Sequence, residues 1–343
     1  MNKELGYYMH DGPDTIGFEL AGYWSDRSAS ELEPTRHTAQ STARSQTWRP
    51  VFLGSLFAIM SLLAPARTLA ADLSPETVQV WERYVKAADD RNQMHLASGG
   101  PFLSLDAIPG QAARLKDGEI AVSPAGPSVP IKVPSGLIHD WTGAIFIPGV
   151  ALNDVLHVVR DYEQYKDIYH PNVVASKSTD ADEWQDRFSL LLMNKSVFAK
   201  AALDTDYRSS YTRVDDQRWY SVSETTRVQE IAEFDRPSQR ILPEGQGTGL
   251  IWRLFTIARF EERDGGVYVE VEALALSRDI PSALRWFVEP IVRRISRSSL
   301  TTSLQQTANA TRFGPGDVNR ISSRSRCSGG SCTPAGPLVH SFR

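Results

Sequence analysis

Two neighbouring residues in one predicted strand, His139 and Asp140, carry side chains suited to acid–base chemistry, and Trp141 follows them. Neighbouring residues on a strand point to opposite faces of the sheet, so His139 shares a face with Trp141 and not with Asp140. Imidazole titrates close to neutral pH, which makes His139 a candidate proton shuttle or ligand donor. The alternative, a buried structural histidine, is the interpretation that the sequence favours. Glu224, on a later predicted strand, is a second candidate acid or base.

Two arginines and two glutamates alternate along the last two predicted strands. Arg253 and Arg259 share a face of the first, and Glu270 and Glu272 share a face of the second. Antiparallel pairing would bring them together as cross-strand ion pairs. The pattern favours exposed pairs, which stabilise a fold by only about 0–1 kcal/mol. The alternative is a buried pair that orients the polar head of a ligand.

Motifs for metal, cofactor and nucleic-acid sites are missing from the sequence. His157 and His170 have no partners at metal-ligand spacing, so we predict no metal and no cofactor. The glycines of segment 245–249 lie between predicted antiparallel strands rather than in the strand–turn–helix unit that binds dinucleotides. The formal net charge is −4, so no overall positive field favours nucleic acid.

An apolar segment near the N-terminus predicts export. Val51–Ala64 is 14 residues long, too short to cross a bilayer core, which needs about 20 residues in a helix. Arginines precede this segment, and small residues follow it up to Ala70. We therefore predict a signal peptide over 44–70, cleaved after Ala70, and a periplasmic or extracellular protein. The alternative is an uncleaved N-terminal anchor.

The two ends of the chain are predicted to lie outside the folded protein. Residues 1–43 are too polar and too long to precede a signal peptide, so we expect them to be absent from the mature protein. Residues 313–343 are rich in Gly, Ser and Arg, which indicates a disordered tail. Export would permit a disulfide between Cys327 and Cys332; the alternative is an unstructured pair with no role.

Hydrophobic periodicity divides the remaining chain into helices and strands. Ser74 as N-cap and Pro75 at the first helical position predict a helix over 72–90, followed by a wrapping segment that reaches residue 135. Residues 152–169 show the spacing of one or two helices. The predicted strands are 137–147, 173–178, 183–193, 199–214, 218–231, 250–262 and 266–278.

A long C-terminal helix over 281–311 completes the predicted fold. Its apolar stripe includes Ile291 and Ile295, and Pro290 predicts a kink or the start of a new helix. Consecutive antiparallel strands leave a sheet with one face to cover, and this helix is the element long enough to cover it. The expected class is α+β.

With these elements in this order, residues 136–312 resemble the START-type helix-grip superfamily, also called SRPBCC. The resemblance rests on three segments: Ile145 to Tyr165, the paired strands around Gly265, and Leu276 to Pro281 with the helix that follows. It implies a curved antiparallel sheet wrapped around the C-terminal helix, with a tunnel between them. Members bind lipids, sterols, quinones or polyketides, and some are cyclases. Residues 71–135 lie outside the resemblance.

We therefore predict that the protein binds an apolar or amphipathic small molecule between the sheet and the C-terminal helix. The alternatives are a cyclase or dehydratase that uses His139 or Glu224, and a structural envelope protein with a filled core. The oligomeric state stays open. Four arginines of the last helix could contact anionic lipid headgroups or form a solvated face: Arg285, Arg293, Arg294 and Arg297. The predicted cavity wall consists of Trp141, Ile145, Tyr220, Trp252, Leu254, Phe255, Phe287 and Ile291.

Overall fold

The computed structural model describes residues 73–195, 200–280 and 282–314. All of them belong to the compact unit Ala71–Arg343. The predicted signal peptide, both cysteines and nearly all of the predicted tail lie outside the described residues. Among the described helices, none combines the length and apolar character that crossing a membrane requires.

Helices begin and end the described chain, and ten strands lie between them. The helices are α1 (Pro75–Ala97), α2 (Gln111–Lys116), α3 (Leu152–Arg160), α4 (Tyr165–Ile168) and α5 (Ser282–Phe313), with 3-10 turns at Ser104–Ala107 and Tyr162–Gln164. The strands are β1 (Ala121–Pro124), β2 (Ile131–Val133), β3 (Gly136–Pro148), β4 (Val173–Ala181), β5 (Gln185–Lys195), β6 (Lys200–Arg213), β7 (Arg218–Ala232), β8 (Arg240–Ile241), β9 (Arg253–Arg263) and β10 (Gly266–Arg278).

All ten strands form one antiparallel sheet. Its order is β1-β3-β10-β9-β7-β6-β5-β4, with β2 beside β3 and β8 beside β7. The α+β class and the helix-grip arrangement are confirmed. Two predicted helix features differ from the structure: α1 continues to Ala97 rather than residue 90, and no new helix starts at Pro290, which lies inside α5.

Each face of the sheet is covered by a different part of the chain. On the inner face, Ile145, Phe260 and Val269 pack against Leu152 of α3 and Leu304 of α5. The opposite, outer face packs against the N-terminal segment 75–116. This segment therefore forms a second helical layer, and the sheet lies between the two.

The outer face is closed mainly by apolar packing against α1. Trp81 and Ala88 of α1 are buried against Ile138, Ile257 and Leu274 of the sheet. The helix begins at Pro75, where the Ser74 hydroxyl accepts a hydrogen bond from the Thr77 amide at 3.2 Å. The cap and the apolar stripe thus place α1 across the central strands.

Helix α5 approaches the inner face of the sheet closely at Gly143 of β3. A Cβ atom added to Gly143 would lie 2.9 Å from the side chains of both Leu300 and Leu304. The missing side chain therefore allows the second half of α5 to pack directly on β3. The same half of the helix is held by the residue that follows α4, since Tyr169 and Thr307 share a hydroxyl–hydroxyl hydrogen bond of 2.9 Å.

We expect Gly143→Val to lower the free energy of unfolding by about 1–3 kcal/mol, because the larger side chain must displace Leu300 and Leu304. Gly126→Val is the matched control, since an added Cβ at Gly126 meets nothing within 4 Å. Urea unfolding of the two variants measures the difference. Equal stability of the two variants would show that α5 does not depend on this close approach.

Candidate functional site

A groove between the inner face and α5 is the main candidate site. Along β9 and β10, the apolar residues that face the N-terminal segment are buried, as Phe255, Ile257 and Leu274 show. Their neighbours that face α5 are only half-buried, as Thr256 and Ala273 show. Side chains that remain partly accessible beneath a helix are not fully packed against it. We call this region the inner groove; its floor is formed by Leu254, Thr256, Val271, Ala273 and Ala275.

Small side chains form the centre of the floor of the inner groove. One cross-strand row runs from Ser209 through Ser223, Thr256 and Ala273 to Trp141. Adjacent strands lie about 4.8 Å apart, so the small residues on β7, β9 and β10 leave a floor about 10 Å wide. A floor of this width accommodates a flat ring system as well as a single alkyl chain.

Hydroxyl groups add polar atoms to this floor. The hydroxyls of Ser209 and Ser223 are hydrogen-bonded to each other. The Thr225 hydroxyl is hydrogen-bonded to the backbone of Leu254. Among the described residues, the Thr256 hydroxyl has no protein partner, so it is available to a bound molecule.

His139 lies on the inner face, in the row next to Trp141. Its Nε2 is 2.9 Å from the Ser277 hydroxyl, and the ring is 8% exposed. Burial lowers the pKa of His139 to about 4, and the positive charge of Arg293 lowers it further while Glu289 opposes the shift. Both charged groups belong to α5, so they border the same end of the inner groove. His139 is therefore neutral near pH 7, and its low pKa makes it a weak base there.

The two predicted acid–base candidates lie on opposite faces of the sheet. Glu224 is on the outer face, in an ion pair with Arg208 of the neighbouring strand. It cannot reach His139, so the structure does not bring them together as an acid–base pair. Among the described residues, no group of three or more His, Cys, Asp or Glu is placed to hold a metal ion.

The eight residues of the predicted cavity wall divide between the two faces. Trp141 and Leu254 border the inner groove, whereas Ile291 is a half-buried residue of α5. Ile145 is on the same face but packs in the closed core beside Leu304. The side chain of Phe287 lies outside the described residues.

The other three predicted wall residues lie on the outer face, and their placement on one wall with Trp141 is wrong. Tyr220 packs with Phe102 of the N-terminal segment, and Trp252 and Phe255 pack with Trp81 of α1. The strand alternation already separates Phe255 from its neighbour Leu254. The small floor residues were missed because the prediction selected large apolar side chains.

The buried ion pair on the outer face is structural. The Arg259 guanidinium donates to Glu270 at 2.9 Å and to the Asn92 side chain of α1 at 3.0 and 2.7 Å. The Glu270 carboxylate also accepts the backbone amides of Ser104 and Leu105 at 3.0 and 2.8 Å. The prediction of an exposed pair is therefore wrong, because this pair is buried. The charged groups that could have oriented a ligand head are hydrogen-bonded to the N-terminal segment instead.

The other two charged residues of this set make weaker contacts. Arg253 lies 3.6 Å from Glu244, and Glu272 lies 3.2 Å from Arg91, whose side chain is half exposed. Burial raises the pKa of Glu272, and the nearby Asp140 carboxylate raises it as well. Arg91 and Glu272 thus form the partly exposed rim of the contact between α1 and the sheet.

Asp140 anchors α1 beside this rim. Its Oδ2 accepts a hydrogen bond of 2.7 Å from the Tyr84 hydroxyl, while its Oδ1 is buried without a hydrogen-bond partner among the described residues. Burial raises the pKa of Asp140, although the bond from Tyr84 and the charge of Arg91 oppose that shift. Asp140 therefore has a structural partner and faces away from the inner groove.

Two cavities flank α1 on the outer side of the sheet. One, of about 540 Å³, lies between Pro75, Glu244 and Arg253. The other, of about 550 Å³, lies between Trp81, Val222 and Phe255 and has a charged rim. Both are open clefts at the flank of the helix, separated from the inner groove by the sheet.

Comparison with known proteins finds structural likeness only. No protein-family model and no curated protein match the chain. The similar solved structures include a STAR-related lipid transfer protein fragment from Xanthomonas axonopodis, 17% identical over 56% of this chain and 98% of that one, with a TM-score of 0.37. Another is human STARD10, which is 7% identical over 62% of this chain and 82% of that one, with a TM-score of 0.34. A third is the Zhui aromatase/cyclase from Streptomyces sp. R1128, which is 13% identical over 52% of this chain and 99% of that one, with a TM-score of 0.33.

The helix-grip arrangement of this chain is established by its own strand order and by the position of α5. Identities below 25% and TM-scores below 0.5 carry no information about what this chain binds. Its function must be argued from its own residues.

We expect Glu270→Gln to lower the free energy of unfolding by about 3–5 kcal/mol, because it leaves the Arg259 charge buried without its counter-ion. Glu272→Gln, on the same strand and face, should change it by no more than about 1 kcal/mol because its partner Arg91 is half exposed. Chemical denaturation of both variants provides the comparison. A loss of similar size in both variants would contradict the central role of the buried pair.

The stability of the protein should depend on pH through His139. Its pKa is about 4 when folded and about 6.5 when unfolded, so the unfolded chain binds the proton first as the pH falls. As the pH falls from about 6.5 to about 4, the free energy of unfolding of the parent should therefore decrease by on the order of 3 kcal/mol more than that of a His139→Gln variant. The control is His157→Gln, at an exposed histidine. If the difference in free energy of unfolding between the parent and His139→Gln stayed constant with pH, the ring would not be buried and neutral.

Proposed function

We propose that this protein binds an amphipathic small molecule in the inner groove. The observation that carries the proposal is the alternating burial along β9 and β10, which leaves the floor residues Leu254, Thr256 and Ala273 accessible beneath α5. A structural protein with a filled core would bury both faces of these central strands. Concave sites with apolar walls and a few polar groups are typical of small-molecule binding.

The distribution of side chains in the groove favours a ligand with an apolar body and one polar end. Leu254 and Val271 on the floor offer apolar contacts. His139, Ser277 and Arg293 lie together at one end and offer an imidazole, a hydroxyl and a guanidinium. A ligand carrying a carbonyl or carboxylate at one end would satisfy these groups, while its body would cover the small floor residues.

We also propose that the protein acts outside the cytoplasm. The support is the apolar segment Val51–Ala64, with the arginines before it and the small residues up to Ala70 after it. N-terminal sequencing of the protein purified from its own host tests this directly. A mature chain that begins at Ala71 would support export, and a chain that retains residues before 60 would refute cleavage.

Ligand binding is tested by native mass spectrometry of the protein purified from its own host, followed by organic extraction. We expect a bound species at a near one-to-one ratio in the parent. Ala273→Leu should remove this species, because the added atoms fill the centre of the groove floor. Ala175→Leu is the matched control, since Ala175 is an exposed strand residue on β4, away from the groove.

The outcomes separate the proposal from its alternatives. Loss of the bound species in Ala273→Leu but not in Ala175→Leu would support binding in the inner groove. A species retained in both variants would place the ligand elsewhere on the protein. Absence of any species in the parent, together with a high-resolution structure that shows a dry and fully packed inner face, would refute the proposal.

A further inference from the structure

Helix α5 presents an exposed stripe in its first half. Trp286 is 78% exposed, the largest exposure among the large apolar residues of the described chain. Pro290, Arg294 and Arg297 are also exposed. These residues recur at positions i, i+4, i+8 and i+11, which lie close together along one side of a helix. We call them the α5 stripe.

The charge of the α5 stripe is positive, although the whole chain is not. Across Ser282–Phe313 the sequence contains five arginines and one acidic residue, Glu289. Glu289 pairs with Arg293 at 3.0 Å. Within the described residues, the side chains of Arg294 and Arg297 form no ion pair. The net charge of −4 over the whole chain therefore coexists with a locally basic surface next to an exposed indole.

An indole beside unpaired guanidinium groups matches the chemistry of an anionic membrane surface. Tryptophan partitions to the boundary between headgroups and acyl chains, because its ring is apolar and its N–H is polar. Arginine binds phosphate through two parallel hydrogen bonds. Exposure of a large aromatic ring to water is otherwise unfavourable, so a covered state of Trp286 lowers the free energy of the protein.

We propose that the α5 stripe docks the protein on a bilayer that contains anionic phospholipids. Trp286 inserts at the level of the headgroups, and Arg294 and Arg297 contact their phosphates. The docking does not require a ligand in the inner groove, and it stands if that groove proves empty. It would place one end of the inner groove next to the bilayer. That end is bordered by His139 and by Arg293, which belongs to the first half of α5.

Vesicle flotation tests the proposal with the protein purified from its own host. The probes are phosphatidylcholine vesicles with and without phosphatidylglycerol. We expect binding only to the anionic vesicles, and weaker binding as salt is raised. Arg294→Gln and Arg297→Gln should each weaken binding about five-fold, and Trp286→Ala should weaken it about ten-fold. All variants carry the same N-terminus, so residues 1–72 contribute equally to each measurement.

The matched controls remove an exposed tryptophan or two exposed arginines elsewhere. Trp184→Ala changes a 46% exposed indole in the turn before β5, and Arg236→Gln with Arg240→Gln removes two exposed charges near β8. These should bind vesicles as the parent does. Equal binding by Trp286→Ala and Trp184→Ala would overturn the proposal, and so would equal binding to neutral and anionic vesicles. Binding to heparin or DNA without binding to vesicles would assign the stripe to another polyanion and would also overturn it.

Discussion

The buried ion pair between Arg259 and Glu270 is the interaction on which the layered architecture depends. It joins two central strands, and each partner also holds the N-terminal segment, Arg259 through Asn92 and Glu270 through two backbone amides. Charges in a protein interior are tolerated only when they are paired and hydrogen-bonded. The central strands and the N-terminal segment must therefore assemble together. With the outer face closed in this way, much of the sheet's apolar burial is achieved there, and the inner face can stay partly open.

The inner face is closed at one end and bordered by polar groups at the other. Where α3 ends above β5, Arg160 pairs with Asp186 at 2.7 Å, and Asp186 also accepts the Tyr162 hydroxyl at 2.9 Å. At the closed end, Ile145 and Phe260 pack beneath Leu304 of α5. The second half of α5 packs there against α3, α4 and Gly143. At the other end, the first half of α5 faces His139 through charged side chains. One helix thus serves two purposes: its second half stabilises the fold, and its first half borders the groove and carries the exposed stripe.

The sequence predicts the strands well because alternation and turn residues are local signals. The hairpin at Gly265 is a clear example, since both of its strands were predicted within a few residues of their observed bounds. The end of α1 was missed for a physical reason. Its last turns are held by the polar residue Asn92, buried against Arg259, and a search for apolar periodicity cannot detect a polar contact with a strand 167 residues away.

The composition of the candidate site was harder to predict than the fold. Large aromatic residues such as Phe255 suggest a ligand wall, yet they fill the core because burying them contributes most to stability. The groove floor consists of residues such as Ala273 and Thr256, whose small size carries no local signal. Only the strand register shows that they share a row, and only the position of α5 shows that this row faces a groove.

The pairing of β3 with β10 has a consequence for how the chain folds. The two strands lie side by side in the sheet, yet their nearest paired residues, Pro148 and Gly266, are 118 positions apart in the sequence. Contacts of such long range require a large loop to close before they contribute any stability, which slows folding. Neither the outer core nor the inner groove can form until the chain has been synthesised through β10. One edge of β3 can pair early with β1 and β2, which are close to it in sequence. The edge that pairs with β10 stays unpaired until then, and it is open to aggregation or to a chaperone.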